Sequence, residues 1–309
     1  MKNTRKIIAF LFLVIFTVTS INLSVINIQA AKKKTVACPV DSKWVTSGKY
    51  EFQLTGDKIL KCKKGKKTIE VASYVNKAFV YGSNVAYRTD NGIFVYEAGI
   101  DTSYNVTMKY AEGVSSTVAF SDVVLAGYGK GGIIYYAVTV NRGQKILYAF
   151  DYKAGTVVPV DAYGYISKVY SIDKYIFFKT NTCADSNATG SLCRLDVTTG
   201  KNTVIAHNAI SVSFAGKKVF WAEPAGDYTY SLGIGSLNIK TCGIADTKSK
   251  TVVTLDDIDT YKTVVCYPKF VTCTSKTGVT FKYIYKSKRK EAFEAYRQSD
   301  LLIKETVLY

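Results

Sequence analysis

The sequence has very little histidine, the residue most often used in acid–base catalysis. It contains a single histidine, His207, which has no sequence partner that would mark a catalytic triad or a metal cluster. There is no Cys-x-x-Cys, the commonest zinc and redox motif, and no Gly-x-Ser-x-Gly, the nucleophile motif of α/β-hydrolases. We therefore interpret His207 as structural, and the sequence assigns no catalytic residue, cofactor-binding residue or metal ligand.

Prolines and helical patterns are also scarce. There are only four prolines, and no run rich in Ser, Gly or Pro divides the chain, which indicates one domain without a linker. The abundant Val, Ile, Thr, Tyr and Phe favour strands. The only helical candidate, residues 289–297, alternates well enough to form a strand instead. The sequence thus predicts an all-β fold.

The amino terminus has the layout of a secretory signal. Lys2, Arg5 and Lys6 precede an apolar run over residues 7–18, and small residues around Ala30 predict a cleavage site. The prediction is a signal peptide over residues 1–30, a basic lead-in over 31–47 and the folded body over 48–309. An uncleaved membrane anchor over residues 7–28 is the alternative. Val36-Ala37-Cys38 resembles a lipoprotein cleavage box, but three lysines separate it from the apolar run.

One short pattern, a tight turn followed by a strand with an early threonine, recurs along the body. The spacing of roughly 40 to 50 residues is typical of a propeller blade. Asn105-Val-Thr107 fills the gap between the first two copies. The copies begin Gly65-Lys-Lys-Thr, Gly155-Thr-Val, Gly200-Lys-Asn-Thr and Ser249-Lys-Thr.

A second pattern, a short turn followed by an apolar and aromatic strand, recurs between these copies and predicts two hairpins in each repeat. Asp90-Asn91-Gly92 marks another hairpin. The result is a β-propeller of about six four-stranded blades, the first of them short by one hairpin. The carboxyl-terminal segment 301–309 is expected to supply a strand that closes the ring. The predicted units are 48–73, 74–113, 118–162, 165–208, 210–256 and 260–297.

Two segments resemble a known family. Residues 84–96, which read Asn-Val-Ala-Tyr-Arg-Thr-Asp-Asn-Gly-Ile-Phe-Val-Tyr, and residues 195–203, which read Leu-Asp-Val-Thr-Thr-Gly-Lys-Asn-Thr, are similar to secreted bacterial propellers related to lipoprotein-receptor and TolB-like propellers. The resemblance covers most of residues 50–290, although Val219-Phe-Trp221-Ala replaces the Tyr-Trp-Thr-Asp signature. It implies an extracellular binding scaffold and carries over no catalytic residues.

Seven cysteines leave at least one thiol without a partner inside the chain. Cys183 and Cys193 flank a polar hairpin tip and are placed to form a disulfide in an oxidising compartment. Cys266 and Cys273 flank a turn, but counting from the turn places them diagonally, and Cys38 with Cys62 is a further pairing. The alternative for all of them is a small buried apolar residue.

Positive charge is the strongest indication of a partner. Loss of the signal peptide lowers the net charge from +17 to +14, enough to attract polyanions. Lysine outnumbers arginine, which favours diffuse attraction over sequence-specific recognition of nucleic acid. Lysines that keep the surface soluble are the alternative. Two clusters, expected to be neighbours if the ring closes, comprise Lys61, Lys63, Lys64, Lys66 and Lys67, and Lys282, Lys286, Lys288, Arg289 and Lys290.

Two further motifs each have a functional and a structural interpretation. Gly127, Gly129 and Gly132 match the dinucleotide spacing Gly-x-Gly-x-x-Gly, but a strand follows where the phosphate site needs a helix, so a hairpin is predicted. The other motif predicts a calcium loop, and a polar hairpin tip is the alternative interpretation. Its oxygen ligands would be Asp185, Asn187, Thr189 and Asp196, with Gly190 at the sixth position.

These patterns favour a secreted or cell-surface binding scaffold without cofactors. Its expected partner is an anionic cell-surface polymer, a glycan or a protein, and contact with a membrane is expected only through an uncleaved amino terminus. The alternative function is an extracellular carbohydrate-active or other hydrolytic enzyme with a carboxylate pair in the propeller channel. Glu223 and Asp227 are the candidate carboxylates for that enzyme.

Overall fold

Segments rich in apolar, aromatic and β-branched residues form strands throughout the described parts of the chain. The computed structural model describes residues 36–106, 123–139, 144–161, 165–181, 190–224, 231–238, 250–256, 261–267, 269–275, 279–287 and 289–292. These ranges contain twenty-five strands, one 3-10 turn and no α-helix. The all-β prediction is confirmed for the described residues, and the ambiguous segment after residue 288 forms a strand at Arg289–Ala292.

The first two groups of strands are antiparallel four-stranded meanders, in which each strand pairs with the next along the chain. A short amino-terminal strand, β1 (Ala37–Pro39), adds to the edge of the second. Meander 1 comprises β2 (Val45–Ser47), β3 (Tyr50–Leu54), β4 (Leu60–Lys64) and β5 (Lys67–Ala72). Meander 2 comprises β6 (Lys77–Tyr81), β7 (Asn84–Thr89), β8 (Gly92–Glu97) and β9 (Thr102–Asn105).

The next eight strands form two more meanders, joined at one residue pair, Lys145 opposite Ile166. Meander 3 comprises β10 (Val123–Tyr128), β11 (Ile133–Thr139), β12 (Lys145–Asp151) and β13 (Thr156–Pro159). Meander 4 comprises β14 (Tyr165–Ile172), β15 (Tyr175–Asn181), β16 (Gly190–Asp196) and β17 (Lys201–Ala209).

Two separate four-stranded sheets complete the described body. Meander 5 comprises β18 (Ser211–Ala215), β19 (Lys218–Pro224), β20 (Ser231–Asn238) and β21 (Lys250–Asp256). Meander 6 comprises β22 (Tyr261–Cys266), β23 (Phe270–Ser275), β24 (Thr280–Ile284) and β25 (Arg289–Ala292). The pattern is that of propeller blades, each of which is a four-stranded antiparallel sheet.

The recurring turn-and-threonine pattern belongs to one structural position, the fourth strand of a meander. β5, β13, β17 and β21 all begin within two residues of its copies. Gly65, Gly155 and Gly200 have φ angles of 61°, 68° and 74° in the turns that precede these strands. Glycine adopts this left-handed conformation without a steric penalty, so the predicted tight turns are confirmed.

The prediction that the first unit lacks a hairpin is wrong. Meander 1 has four strands, because Val45–Ser47 forms β2 and pairs with β3 through the turn at Gly48, where φ is 66°. The strand has only three residues and one buried side chain, that of Ser47. Such a short segment gives little periodicity to read. The tail 301–309, expected to supply a strand, lies outside the described residues.

Part of the predicted lead-in also forms a strand. β1 pairs antiparallel with β6 in the register Ala37 opposite Tyr81 and Pro39 opposite Phe79. Backbone hydrogen bonds from Val40 N to Ala78 O and from Gly82 N to Val36 O extend this pairing at both ends. Residues 36–309 belong to one compact unit, and residues 1–35 lie outside the described ranges.

The core lies between successive meanders, because each sheet sends alternate side chains to its two faces. In β6, Phe79 packs with residues of meander 3, whereas Val80 packs with residues of meander 1. Further along, Trp221 of meander 5 is completely buried beside Phe177 of meander 4. Each meander therefore buries its apolar faces against its neighbours in the chain, as repeat architectures require.

The Gly127-x-Gly129-x-x-Gly132 segment is a hairpin, as predicted, and its glycines allow close packing. Gly127 lies near the end of β10, and Gly129 meets the β16–β17 turn of the next meander. A Cβ at Gly129 would lie 2.2 Å from the carbonyl oxygen of Val197, and a Cβ at Gly127 would lie 2.8 Å from Ile176 Cδ1. The Lys130 amide donates to the same Val197 oxygen at 3.0 Å. The motif thus serves contact between two backbones.

Candidate functional site: a basic and aromatic surface on meander 1

The hairpin β4–β5 presents a dense group of lysines. The left-handed Gly65 brings the two strands together, and Lys64, Lys66 and Lys67 around it are exposed. Among the described residues no carboxylate forms an ion pair with these three side chains. Their positive charge therefore faces water, where it attracts anions over about 10 Å at 0.1 M ionic strength.

Two aromatic rings lie among these lysines. Lys49 Nζ and Lys64 Nζ lie 5.5 and 5.9 Å from the centroid of the Tyr50 ring. Lys63 Nζ lies 5.7 Å from the Trp44 ring and 3.0 Å from Glu51 Oε2. Trp44 is 39% exposed, so part of its ring faces solvent. Cation–π contacts of this kind hold the ammonium groups near the rings. The lysine cluster was predicted from the sequence, whereas its aromatic neighbours were not.

A cavity of about 180 Å³ opens beside this surface, between β4–β5 and the β8–β9 turn of meander 2. Lys64 and Lys67 line it together with Tyr50 and Asp101. The Tyr50 hydroxyl is buried without a hydrogen-bond partner, whereas the Tyr96 hydroxyl donates to Asp101 Oδ1 at 2.8 Å. Burial and the bond to Asp101 raise the Tyr96 pKa. We name the exposed lysines, Trp44 and this cavity the basic surface.

The second predicted cluster lies in meander 6. Lys282 Nζ lies 3.2 Å from Glu291 Oε2 and 5.7 Å from the Phe270 ring, so its charge is partly neutralised. Lys286 and Arg289 are exposed, and Lys288 lies outside the described residues. This cluster is therefore less uniformly positive than the basic surface.

A lysine pair that the sequence reading did not single out lines a cavity of about 70 Å³. Lys77 begins β6 and Lys145 begins β12, and Tyr170 and Ser171 of β14 are among the other lining residues. Burial, followed by repulsion from Lys145, lowers the Lys77 pKa to about 8, and burial also lowers the Lys145 pKa. The sequence signal for this pair is that each lysine is the first residue of a strand whose following residues are mostly apolar.

We expect Lys77→Met to raise stability at pH 7 by about 2 kcal/mol, after allowance for partial exposure. Below pH 8 Lys77 is charged in the folded protein, and burying that charge lowers the free energy of unfolding. This destabilisation disappears as pH rises from about 8 to the unfolded pKa near 10.5. The advantage of the variant, measured by thermal unfolding, should therefore shrink from pH 7 to pH 10.5. Lys66→Met is the exposed control and should gain nothing. A pH-independent advantage for Lys77→Met would contradict this account.

Of the predicted carboxylate pair, only Glu223 lies in the described chain. Glu223 Oε1 accepts a hydrogen bond from the indole Nε1 of Trp221 at 3.3 Å, which satisfies a buried donor. Its predicted partner Asp227 lies outside the described residues. His207 is exposed on β17, and only its backbone oxygen accepts a described hydrogen bond, from Ser191 Oγ at 3.4 Å.

The predicted calcium ligand Asp196 has another role. Asp196 Oδ2 accepts from Lys174 Nζ at 2.6 Å, and Oδ1 accepts from the Thr198 amide and hydroxyl at 2.9 and 2.6 Å. These bonds close the turn before β17. Residues 185, 187 and 189 lie outside the described ranges. Among the described residues, no three His, Cys, Asp or Glu side chains are grouped to hold a metal.

The described cysteines pack as apolar residues in the sheets, and four of these five are buried. Cys38 and Cys62 are not bonded, so that pairing is wrong, and Cys193 carries a free thiol; its predicted partner Cys183 lies outside the described residues. Cys266 stands opposite Val271 and Cys273 opposite Val264, which confirms the diagonal placement. Burial raises the thiol pKa of Cys38 to about 11 and that of Cys193 to about 12, which disfavours the reactive thiolate.

No helix in the described ranges has the length and apolarity to cross a bilayer. Neither the protein-family models nor the curated proteins give a match to this sequence.

Solved structures that align with the chain share little sequence with it. TolB from Acinetobacter baumannii is 11% identical, with 80% of this chain and 63% of TolB covered and a TM-score of 0.34. An oligogalacturonate lyase from Vibrio parahaemolyticus is 8% identical, with 85% and 80% covered and a TM-score of 0.36. BamB from Moraxella catarrhalis is 14% identical, with 81% and 71% covered and a TM-score of 0.32. All three TM-scores lie below 0.5, so we infer the architecture from strand order and register alone.

Proposed function

We propose that the chain is an exported β-propeller of about six blades that acts as a binding scaffold for an anionic polymer of the cell surface. The observation that carries this proposal is the basic surface, where Lys64, Lys66 and Lys67 are exposed without described ion pairs and the neighbouring Lys63 lies over the partly exposed Trp44 ring. Lysines neutralise repeated phosphate or carboxylate groups, and an exposed ring adds apolar contact with the polymer backbone.

The amino terminus supports a location outside the cytoplasm. A basic start, an apolar run over residues 7–18 and small residues near Ala30 support export and cleavage by a signal peptidase. A protein of net charge +14 outside the cell meets anionic polymers at the envelope, and long-range attraction raises its concentration there. We therefore propose a location outside the cytoplasmic membrane, on the cell surface or free in the medium.

Retention on purified cell wall tests the proposal. We expect the full chain to bind wall material at low salt and to be released as salt rises, because screening weakens attraction between exposed charges. Replacing Lys64, Lys66 and Lys67 together by Ser should weaken binding about tenfold at 0.1 M salt, as part of the local field is lost. The measurement is the bound fraction in a sedimentation assay across a salt series.

The matched control removes the same charge elsewhere. Lys153, Lys201 and Lys218 are exposed residues of meanders 3, 4 and 5, and their joint replacement by Ser should change binding less than twofold. Equal losses in the two triple variants would show that net charge alone drives binding. Retention that does not respond to salt would overturn the electrostatic proposal.

A further inference from the structure

A third cavity, of about 380 Å³, lies at the junction of meanders 1 and 2, away from the lysine hairpin. Its volume is within the range of small-molecule sites. The lining combines aromatic rings with hydrogen-bonding side chains, and no lysine or arginine is among its residues. The residues that matter for its chemistry are Tyr74, Phe94, Ser73, Thr89, Asp90 and Asn91.

The aromatic wall is built in two layers. Tyr87 is buried and stacks on Phe94, with ring centroids 5.3 Å apart and planes at 15°. The Tyr87 hydroxyl is engaged with Ser103 Oγ at 3.2 Å, so this ring supports Phe94 from behind. Tyr74, in contrast, is 75% exposed at the mouth of the cavity. Phe94 and Tyr74 thus offer apolar ring surface to a ligand.

Tyr74 is held in an unfavourable backbone conformation. Its φ of +56° lies in the left-handed region, which is costly for a bulky residue. Lys58, whose carbonyl oxygen accepts from the Val75 amide at 2.8 Å, has a φ of +60°. Strain of this kind persists where the surrounding structure enforces it and is concentrated at functional sites. Burial does not explain a tyrosine here, because the side chain is largely in water.

The polar wall is oriented by a chain of hydrogen bonds. Lys58 Nζ donates to Asn76 Oδ1 at 3.1 Å, and Asn76 Nδ2 donates to Asp90 Oδ1 at 2.7 Å. Thr89 Oγ1 accepts from the Asn91 amide at 3.1 Å. Asp90 Oδ2 accepts no described hydrogen bond, and the Asn91 side chain donates none. The hairpin therefore presents an acceptor and an amide side by side.

We propose that this cavity binds an uncharged sugar unit of a glycan, with the pyranose ring against Tyr74 and Phe94 and its hydroxyl groups on Asp90 and Asn91. Sugar hydroxyls donate to a carboxylate and accept from an amide, while the C–H face of the ring packs on aromatic surface. A phosphate would face Asp90 without a lining cation. A quaternary ammonium ion would leave Ser73, Thr89 and Asn91 without partners.

The test titrates the full chain with chitotetraose and with cellotetraose, monitored by calorimetry and by saturation-transfer NMR. We expect at least one of them to bind, with an affinity that is unchanged between 0.05 and 0.5 M salt. Tyr74→Ala and Asp90→Asn should each weaken binding about tenfold. Tyr165→Ala and Asp57→Asn, an exposed tyrosine and an exposed aspartate outside the cavity, should leave it unchanged.

Tyr74→Gly separates ligand binding from folding. Glycine relieves the left-handed strain, so this variant should melt at the same or a higher temperature while binding is lost. Failure of both tetrasaccharides to bind, full binding by Tyr74→Gly, or binding of choline in place of the sugars would each overturn the proposal. Because the expected binding is independent of salt, its failure is distinguishable from failure of the anionic-polymer proposal.

Discussion

Gly129→Ala should lower the melting temperature by about 10 °C. The added methyl group would lie 2.2 Å from the Val197 carbonyl oxygen, and a backbone oxygen cannot rotate away as a side chain can. Meanders 3 and 4 must then separate locally, which also lengthens the bond from the Lys130 amide to the same oxygen. Overpacking of this kind costs about 3 kcal/mol, and each kcal/mol lowers the melting temperature of a domain of this size by about 2 to 4 °C.

Gly56→Ala is the matched control, because Gly56 also lies in a hairpin turn, but its φ is not positive and a methyl group added there would have no atom within 4 Å. Its melting temperature should stay within about 2 °C of the parent or rise slightly. Calorimetric scans of the two variants and the parent decide the matter. Similar melting temperatures for Gly129→Ala and the parent would refute close contact between these two turns.

Asp196→Ala is expected to cost about 3 kcal/mol of stability. The carboxylate is nearly buried and accepts hydrogen bonds from Lys174 and from Thr198, all of them lost in the variant. The remaining buried donors and the unpaired Lys174 are costly, although Lys174 is partly exposed and regains some water. Chemical denaturation at pH 7 measures this loss.

Asp151→Ala provides a matched comparison within the same fold. Asp151 occupies the equivalent turn of meander 3, where Oδ1 accepts from the Lys153 and Ala154 amides at 3.0 Å, and among the described ion pairs none involves it. Its removal should cost about 1 kcal/mol, the usual value for a lost turn-closing bond. Equal losses at positions 151 and 196 would mean that the ion pair contributes nothing.

The Asp196 contribution should also depend on pH. Burial alone would raise the pKa of this carboxyl, but the hydrogen bonds from Lys174 and Thr198 outweigh burial and lower it. A lowered carboxyl pKa stabilises the folded state above the unfolded pKa near 3.9, and the benefit is lost as pH falls through the folded value. The stability difference between the parent and Asp196→Ala should therefore be full at pH 6 and shrink in acid.

Local chemistry explains which parts of this fold are predictable. The tight turns at Gly65, Gly155 and Gly200 require left-handed residues, and such turns leave a signal in the sequence wherever they occur. Fourth strands were located for this reason. Hairpins follow from neighbouring segments, so strand order within a meander could also be predicted.

Contacts between distant segments were beyond sequence reasoning. Nothing in Ala37–Pro39 indicates that its partner is Lys77–Tyr81, because pairing over such a distance has no local signature. The same limit applies to the sites. Asp90 and Asn91 were read only as turn residues, and their proximity to Tyr74 depends on how meanders 1 and 2 pack. Lys77 and Lys145 likewise come together only because meanders 2 and 3 pack against each other.

The pairing of β1 with β6 has a consequence for assembly. All of meander 1 lies between these two strands in the sequence, so β1 is synthesised well before the strand with which it pairs. Before β1 has docked, the edge of β6 is open and can pair with another strand of suitable sequence, including β1 of another molecule. At high protein concentration during refolding, domain-swapped dimers that exchange this strand are the expected by-product.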